Sequence, residues 1–426
     1  MQIRNLLKKY PGTFETCRIT AKPVVLGEKS NRFFRLQNHA PTRPGIRFWN
    51  FTVALVLLSA VDLSQTLVAR AGYTYTSMLP PDYYTTSAEN YVAINNLGEV
   101  ASIGYINGND QQIALSNGSQ TIGILNPPAD NSLGEDIWLN DAGQVVARSD
   151  STIFTATQGS YRPLNNTTGY VLNDDNFVAA NVTNSPIAWI GYNPANYSQA
   201  LFLTSGTTTR TLATTGSTYS QIYYPYMNAS DTVCYTTEAS TSTQTSVFLT
   251  NGTTTRTIAV ASSNDQDVEA DGIDNNGDVL WSESLTNGNE NLWLTSPTGM
   301  STLIANTTGA YDRFSDPYSF AATLSPSGQL AFIATLKNGN VGIFTGPDPV
   351  ADKVIEEGDP LFGGTVGSVI SFSPQGLNDN GSLAFLANTQ NGSYVVRADP
   401  VPEPTSCAML LAGNMLLMIR RRRNPR

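Results

Sequence analysis

A short motif recurs seven times along this chain and consists of an apolar residue, Asn or a polar substitute, a polar pair, Gly or a substitute, and an apolar run. The copies begin at residues 94, 139, 172, 227, 273, 324 and 377. Asn, Asp and Gly favour tight turns because they bond their own backbone or accept positive φ, and the apolar run suits a buried strand. Each copy therefore predicts the end of one strand, a tight turn and the start of the next strand.

The spacing of the copies predicts the architecture. The first and last copies begin 283 residues apart, so the mean period is about 47 residues, within the range typical of propeller repeats. A second hairpin pattern at residues 201–212 returns almost unchanged at 247–258, which gives each unit at least three strands with room for a fourth. We therefore predict an all-β fold with little helix: a β-propeller of about seven blades over residues 72–400, closed by pairing residues 73–78 with 393–397.

The N-terminal residues 1–71 have the features of an export leader. Residues 1–47 are basic, residues 48–61 are apolar, and Val68-Ala69-Arg70-Ala71 offers small residues at the spacing that signal peptidase recognises. We predict a helical secretion signal that is cleaved after Ala71. The alternative is an uncleaved N-terminal anchor, for which the apolar run is short.

The charge of the predicted body argues against several partners. Residues 72–400 contain 8 Lys plus Arg and 30 Asp plus Glu, a net charge of −22, whereas the whole chain has a net charge of −10. Such an acidic surface disfavours nucleic acid and anionic membranes, and it favours divalent cations or solubility at high salt. Nucleic acid is therefore not an expected partner.

The body lacks the side chains of several common catalytic sites. The only histidine, His39, and the cysteines Cys17 and Cys407 lie outside it, which leaves Cys234 as its only cysteine. An intrachain disulfide, a Ser-His-Asp triad and the usual zinc sites are therefore excluded for the body. We expect Cys234 to be a buried structural thiol, with a reactive thiol as the alternative.

The C-terminal residues 401–426 combine three features in order: a Pro-Glu-Pro sequence, an apolar stretch over residues 406–419, and an arginine cluster. This layout resembles the PEP-CTERM sorting signal of exported bacterial proteins that are processed by exosortase. The resemblance implies a recognition motif at Pro402, Glu403 and Pro404, and a short transmembrane helix that holds the protein transiently in the inner membrane. It also implies removal of the tail and release to the cell surface or extracellular matrix. The arginines would stay on the cytoplasmic side, and they are Arg420, Arg421, Arg422 and Arg423.

An ordinary tail anchor is the alternative for this segment. The repeats, together with residues 342–347, also resemble extracellular bacterial repeat proteins that carry Asn-x-x-Gly-x-Val-Ala-Phe units. This second resemblance implies an architecture and a location but no reaction.

Two sets of residues are candidates for ligand binding. Alternate carboxylates followed by Gly can wrap oxygens around Ca²⁺, and Asp267, Glu269, Asp271 and Asp278 fall at positions 1, 3, 5 and 12 of such a loop. The alternative is a solvated acidic loop without a cofactor. The second set consists of tyrosines in Pro-containing segments predicted to be loops between blades: Tyr83, Tyr84, Tyr223, Tyr224 and Tyr226. These rings either stack on a glycan or are buried between blades.

The sequence favours a non-enzymatic, exported envelope or matrix protein that binds a glycan, such as exopolysaccharide, or another surface protein. The alternative is a carbohydrate-active enzyme, a carboxylate-pair glycoside hydrolase or lyase, because such chemistry needs no histidine. The available carboxylates include Glu89, Glu99, Glu135, Glu238, Glu283 and Glu290. None lies in a recognisable catalytic motif.

Overall fold

Six of the seven copies of the recurring motif form the turn between the first two strands of an antiparallel sheet in this computed structural model. The structure describes residues 72–79, 92–106, 110–125, 133–149, 152–164, 168–172, 178–180, 186–262, 265–314 and 322–401. The predicted leader and sorting tail, with Pro402, Glu403, Pro404 and the arginine cluster, lie outside these residues. The described residues contain no helix, and so none that could cross a membrane.

In chain order the strands are β1 (Tyr73–Ser77), β2 (Val92–Ile94), β3 (Val100–Ile106), β4 (Asp110–Ser116), β5 (Thr121–Leu125), β6 (Leu133–Leu139), β7 (Val145–Ser149), β8 (Thr152–Thr157), β9 (Ser160–Pro163), β10 (Val178–Ala180), β11 (Ile187–Tyr192), β12 (Gln199–Ser205), β13 (Thr208–Thr214), β14 (Tyr219–Met227), β15 (Val233–Ala239), β16 (Thr245–Thr250), β17 (Thr255–Val260), β18 (Asp265–Ile273), β19 (Val279–Leu285), β20 (Glu290–Thr295), β21 (Ser301–Asn306), β22 (Tyr311–Arg313), β23 (Ala322–Leu324), β24 (Leu330–Leu336), β25 (Val341–Phe344), β26 (Lys353–Glu356), β27 (Pro360–Leu361), β28 (Gly364–Ser371), β29 (Leu383–Thr389) and β30 (Gly392–Pro400).

These strands form seven sheets, which are the blades of a β-propeller. Blades 1 to 5 follow the chain as β2–β5, β6–β9, β10–β13, β14–β17 and β18–β21. Blade 6 has the order β22-β24-β25-β26, with β23 also paired to β24, and blade 7 has the order β1-β30-β29-β28-β27. The predicted all-β fold and blade number are confirmed.

The first and last strands close the ring by forming one ladder. Tyr73 lies opposite Pro400 and Ser77 lies opposite Val396. The ladder continues beyond both strands, since the Met78 N–H donates to the Val395 carbonyl at 2.9 Å and the Val401 N–H to the Gly72 carbonyl at 2.8 Å. The predicted closure is confirmed, with the partner segment three residues further along the chain than expected.

Apolar side chains are buried between the blades because a blade has a neighbour on each face. In six copies the run that follows the turn forms the second strand of its blade, and all five residues of β7 are buried. The copy at residue 172 differs from the prediction, because its run leads into β10, the first strand of blade 3. Strands covered on both faces read as continuous apolar runs instead of alternating ones. This burial explains why the sequence after each turn is apolar without a period of two.

The asparagine of the motif has two structural roles. Oδ1 of Asn378 accepts the N–H groups of Asn380 at 3.0 Å and Ser382 at 2.9 Å, which holds its own turn. Its Nδ2 donates to the carbonyl of Asn95 in the next blade at 2.9 Å. Asn378 is 2% exposed, so both interactions are made out of water. One side chain therefore caps a turn and joins two blades.

The same arrangement recurs around the ring. Nδ2 of Asn95 donates to the carbonyl of Asn140 at 3.1 Å, and Nδ2 of Asn228 donates to the carbonyl of Asp274 at 3.1 Å. Where Asp274 or Ser325 replaces Asn, the side-chain oxygen still caps the turn, but no amide group is present to donate to the next blade. The turn cap is thus kept at every one of these positions, and the amide link only where Asn is present.

Candidate ligand-binding site between blades 4 and 5

The two predicted ligand sets come together on two neighbouring strands. β14 and β18 are the innermost strands of blades 4 and 5, and they pack against each other beside the central channel. β14 carries Tyr223, Tyr224 and Tyr226, and β18 carries Asp267, Glu269 and Asp271. Both strands run from the end of the channel where blades connect toward the end formed by the motif turns. The predicted Tyr83 and Tyr84 lie outside the described residues.

A bulge in β14 brings two tyrosines to one side of the strand. Tyr223 lies opposite Thr236 and Tyr226 opposite Cys234, so β14 holds one extra residue here. Tyr224 takes a φ of 47°, a left-handed conformation that is uncommon for an aromatic residue. Consecutive side chains normally point to opposite faces of a strand. Here the rings of Tyr223 and Tyr224 lie 5.9 Å apart with an interplanar angle of 33°.

The prediction that these tyrosines lie in a loop is wrong. Pro225 was the signal for a loop, but proline also occurs at bulges and on edge strands, where its missing N–H breaks no ladder. β14 is both bulged and the innermost strand of its sheet. The tyrosines are therefore held by a rigid sheet.

The carboxylates also lie on a strand, so the predicted calcium loop does not form. Asp267, Glu269 and Asp271 belong to β18, whereas Asp278 follows the next turn, where its N–H donates to Oδ1 of Asp274 at 2.8 Å. An extended strand cannot wrap its oxygens around one ion as a calcium loop does. Among the described residues, no group of three or more His, Cys, Asp or Glu side chains is placed to hold a metal ion.

A second bulge buries Asp271 in the contact between the two blades. Ala270 lies opposite Trp281 and Gly272 opposite Leu280, so Asp271 is the extra residue of β18. The side chain is 5% exposed, and its Oδ2 atom has no hydrogen-bond partner. Burial raises the pKa of Asp271 to about 7, and a hydrogen bond from Ser282 offsets part of that rise.

Glu269 and Asp267 form a pair of carboxyl groups next to Asp271. Burial raises the pKa of Glu269 to about 8, and the charges of Asp267 and Asp271 add to the rise. Hydrogen bonding with Asp267 raises the pKa of Glu269 further. The Thr245 hydroxyl positions the pair: it donates to Asp267 and accepts the N–H of Val268 at 2.7 Å.

The tyrosine hydroxyls lie within the field of these carboxylates. Burial raises the pKa of Tyr224, and the charges of Glu269, Asp267 and Asp271 raise it further. Burial likewise raises the pKa of Tyr226 well above its usual range, followed by the charge of Asp271. All of these hydroxyls remain protonated near neutral pH and can donate hydrogen bonds.

Glu238 of β15 extends the site beyond the predicted residues. It accepts a hydrogen bond from the Tyr223 hydroxyl at 3.0 Å, and burial followed by this bond raises the pKa of Tyr223. Sequence reasoning named Glu238 only as one of several possible catalytic carboxylates. The supporting residues Thr245 and Ser282 were missed, because nothing in their local sequence distinguishes them from other strand hydroxyls.

Within the part of the chain that the structure describes, no basic side chain neutralises this cluster. The ion pairs there involve Lys337, Lys353 and Arg397, all in blades 6 and 7. Burial and neighbouring acids, without any basic group, account for the raised pKa values of Glu269 and Asp271. The site therefore has carboxyls without a basic partner among the described residues, and it would favour ligands that donate hydrogen bonds or carry positive charge.

The turn end of the channel is nearly closed. Nε2 of Gln375 donates to the Leu139 carbonyl, and its Oε1 accepts the Leu139 N–H, each at 2.6 Å. The cavity beside it measures about 30 Å³, which holds about two water molecules at most. A sugar would have to approach β14 and β18 from the other end, where Asp267 lies.

The other predicted residues have structural roles where they are described. Glu99 accepts from Nδ2 of Asn95 at 2.8 Å, and Glu283 accepts from Nε1 of Trp293 at 3.0 Å. Glu89 and the side chain of Glu135 lie outside what the structure describes. The Cys234 thiol is buried and its pKa is raised by burial, so the prediction that it is buried is confirmed.

Comparisons with known proteins support the fold and leave the activity open. The sequence model of a family of unknown function (DUF7453) matches residues 198–398, from blade 3 into blade 7. No curated protein sequence matches the chain.

Solved structures resemble the chain at low sequence identity. An oligogalacturonate lyase in complex with manganese is 10% identical, with 78% of this chain and 97% of the lyase covered and a TM-score of 0.52. The oligogalacturonate lyase of Vibrio parahaemolyticus is 12% identical, with 79% and 99% covered and a TM-score of 0.50. A six-bladed fucose lectin from Aleuria aurantia, at 12% identity, 62% and 93% coverage and a TM-score of 0.38, is too distant to bear on this chain. These likenesses concern the propeller fold alone.

Proposed function

We propose that this protein is an exported, non-enzymatic glycan-binding propeller whose ligand contacts β14 and β18 at the channel. The supporting observation is the meeting of the Tyr223 and Tyr224 rings with the carboxyls of Asp267 and Glu269. Aromatic faces pack on the apolar faces of sugar rings, and carboxylates and tyrosine hydroxyls bond sugar hydroxyls. Because these side chains lie on strands of two packed sheets, the protein loses little conformational entropy when a ligand binds.

The carboxyl geometry favours binding over glycoside hydrolysis. Hydrolases hold two carboxyls about 5 to 5.5 Å apart when they retain configuration and about 6.5 to 9.5 Å apart when they invert it. Asp267 and Glu269 interact with each other, and Asp267 also accepts a hydrogen bond from the Thr245 hydroxyl, so both carboxyls are engaged within the protein. Glu238, the next carboxylate, is engaged by Tyr223.

The charge of the site disfavours the substrate of the structurally similar lyases. Oligogalacturonate is a polyanion, and the wall formed by Asp267, Glu269 and Asp271 is acidic without a basic counterpart among the described residues. Like charges in a partly buried site repel strongly. The shared fold therefore does not extend to a shared ligand in this proposal.

The proposal includes the route to the cell surface that the sequence indicates. A signal cleaved after Ala71 and a tail removed at Pro402 to Pro404 would leave the complete propeller, whose described ends are Gly72 and Val401. The two ends are paired by a hydrogen bond of 2.8 Å, so both cleavages would occur beside the closing ladder without opening it. Exosortase and signal peptidase would be transient partners.

Binding of the purified residues 72–401 to an array of neutral, acidic and amino glycans tests this function. We expect binding that Tyr224→Ala reduces at least tenfold, because the ring supplies much of the contact area. Tyr161→Ala is the matched control, since Tyr161 is an exposed tyrosine on the outer strand of blade 2. An array without any bound glycan, or chromatography that shows a bound oligosaccharide being cleaved, would contradict the proposal.

A further inference from the structure

We propose that the ligand of this site carries a protonated amine, and that its class is a glycan with free hexosamine residues. The inference rests on the proposed glycan binding and specifies the chemistry of the glycan. It depends on an unpartnered buried carboxyl oxygen, on the arrangement of carboxyls along β18, and on the absence of a neutralising base among the described residues.

The first observation is Oδ2 of Asp271. This atom is buried and has no hydrogen-bond partner, although a buried carboxyl oxygen normally has one. Asp271 is the bulged residue of β18, and its charge acts on Tyr224, Tyr226 and Glu269, so the carboxyl lies near the side chains of the contact between β14 and β18. A donor from a ligand would remove the cost of an unsatisfied polar atom there.

The second observation is the order of the carboxyls. Asp267, Glu269 and Asp271 follow one another along β18 from the open end of the channel toward its closed end, and Asp271 is the most deeply buried of the three. They do not converge as metal ligands would, because the described residues include no such group of three. A linear arrangement of acids fits an extended organic cation better than a single metal ion.

The third observation is the chemistry of the opposite wall. Tyr223 and Tyr224 present two aromatic rings beside these carboxyls, and an ammonium group is attracted both to ring faces and to carboxylates. A sugar hydroxyl can bond the same oxygens but, unlike an ammonium group, does not stabilise the ionised carboxylates. Because no basic side chain among the described residues stabilises the ionised form, a ligand amine is the natural counter-ion.

Three tetrasaccharides with the same β-1,4 backbone test the inference: the glucosamine tetramer, the N-acetylglucosamine tetramer and cellotetraose. They differ at carbon 2, which bears an amine, an acetamide or a hydroxyl. We expect the amine form to bind residues 72–401 at least tenfold more tightly than the other two at low salt. At a pH low enough that the amine is already protonated in solution, calorimetry in two buffers of different ionisation enthalpy should also show protons released on binding, because the bound ammonium favours ionised carboxylates.

Variants of the carboxyls provide the structural control. Asp271→Asn and the more exposed Glu269→Gln should each remove most of the preference for the amine, and two variants protect the test if one fails to fold. Asp312→Asn, at an exposed ion pair in blade 6, should leave the preference unchanged. A preference that survives both site variants would overturn the inference.

The remaining outcomes separate this inference from the proposed function. Equal binding of the three tetrasaccharides would contradict the amine specificity and leave glycan binding intact. Binding of none of them, with no other glycan bound on the array, would contradict both. Binding of Ca²⁺ in the absence of any glycan, if Asp271→Asn abolished it, would show a metal site and contradict the inference that the ligand carries an amine.

Discussion

The asparagine at the turns that begin at Asn95, Asn228 and Asn378 explains at the residue scale why one motif recurs through a ring. Its carbonyl oxygen caps two N–H groups of its own turn, and its amide reaches the next blade. Turn chemistry alone would accept Asp, Ser or Gly at this position. The side-chain amide, which donates a hydrogen bond to the next blade, favours Asn at this position. The repeated Asn therefore reflects the contact between blades as well as the turn.

Asn228 allows the two roles to be separated. It accepts the N–H groups of Ser230 at 3.0 Å and Thr232 at 3.1 Å, and it donates to the carbonyl of Asp274. We expect Asn228→Ala to lower the free energy of unfolding by about 2 to 3 kcal/mol, because buried groups lose their partners. Asn228→Ser, which copies the natural Ser325, should cost about 1 kcal/mol because the cap is kept.

Asn251 provides the matched control for this prediction. Its Oδ1 caps the N–H groups of Thr253 and Thr254 at 2.9 Å in an exposed hairpin, and its side chain has no role between blades. Asn251→Ala should cost less than about 1 kcal/mol. Denaturant unfolding of the variants measures the differences, and equal losses for Ala and Ser at position 228 would contradict the dual role.

Asp271 predicts how stability depends on pH. The folded protein holds this proton up to about pH 7, whereas the unfolded chain releases it near pH 4. The folded state therefore binds more protons between these values, and stability falls as pH rises through that window. The loss approaches about 4 kcal/mol above pH 7, at about 1.4 kcal/mol for each pKa unit.

Asp271→Asn should remove the part of the dependence that Asp271 contributes, because the amide has the size of the protonated acid and cannot ionise, and the part due to Glu269 should remain. Denaturant unfolding at pH 5 and pH 8.5 should show the variant more stable than the wild type at the higher pH. Asp312→Asn is the exposed control. A variant that is as sensitive to pH as the wild type would assign the dependence to other groups.

At the scale of strands, the turns and the outer hairpins could be predicted from sequence. The arrangement of the proposed binding residues on β14 and β18 could not. Residues 201–212 and 247–258 carry their own turn signals, so each hairpin is specified locally. The side on which Tyr224 lies depends on a bulge opposite Thr236, which is a tertiary feature of the sheet. Pro225 suggested a loop because proline marks bulges and loops alike.

The meeting of β14 and β18 was also beyond sequence reasoning. Tyr224 and Glu269 were noted separately, one for a glycan and the other for calcium. Their proximity follows from the packing of successive innermost strands around the channel, which no local pattern encodes. Acidic residues at every second position fit one face of a strand as well as the ligand positions of a calcium loop. The sequence alone therefore did not distinguish the two.

β1 offers a prediction at the scale of elements. A chain that begins at residue 80 lacks the outer strand of blade 7 and exposes the edge of β30. We expect it to melt at a lower temperature than residues 72–401 and to associate through that edge. A synthetic peptide of residues 72–79 should restore the melting temperature in proportion to its concentration, as a ligand of the native state does.

A peptide of the same composition in scrambled order is the control for this rescue, because it lacks the alternation that matches β30. Unchanged stability on deletion of β1 would contradict its role in closure. Rescue by both peptides would show that the effect does not depend on register.

At the scale of the whole molecule, the ring provides a stable frame and the differences between blades provide function. Six of the turns share one plan, whereas the bulged tyrosine pair of β14 and the acidic strand β18 occur together only at one contact among the described blades. Because each blade packs only against its neighbours, one contact between blades can diverge without altering the others. The account therefore places the function in one contact of the ring, between blades 4 and 5.

Hydrogen–deuterium exchange with and without the glucosamine tetramer tests this placement most directly. The account predicts that the ligand slows exchange in β14 and β18 and leaves the opposite blades 1 and 7 unchanged. Tyr224→Ala should abolish the protection, whereas Tyr161→Ala should retain it. Protection confined to other blades, or to the exposed hairpins at Gly206 and Gly252, would contradict the proposed site.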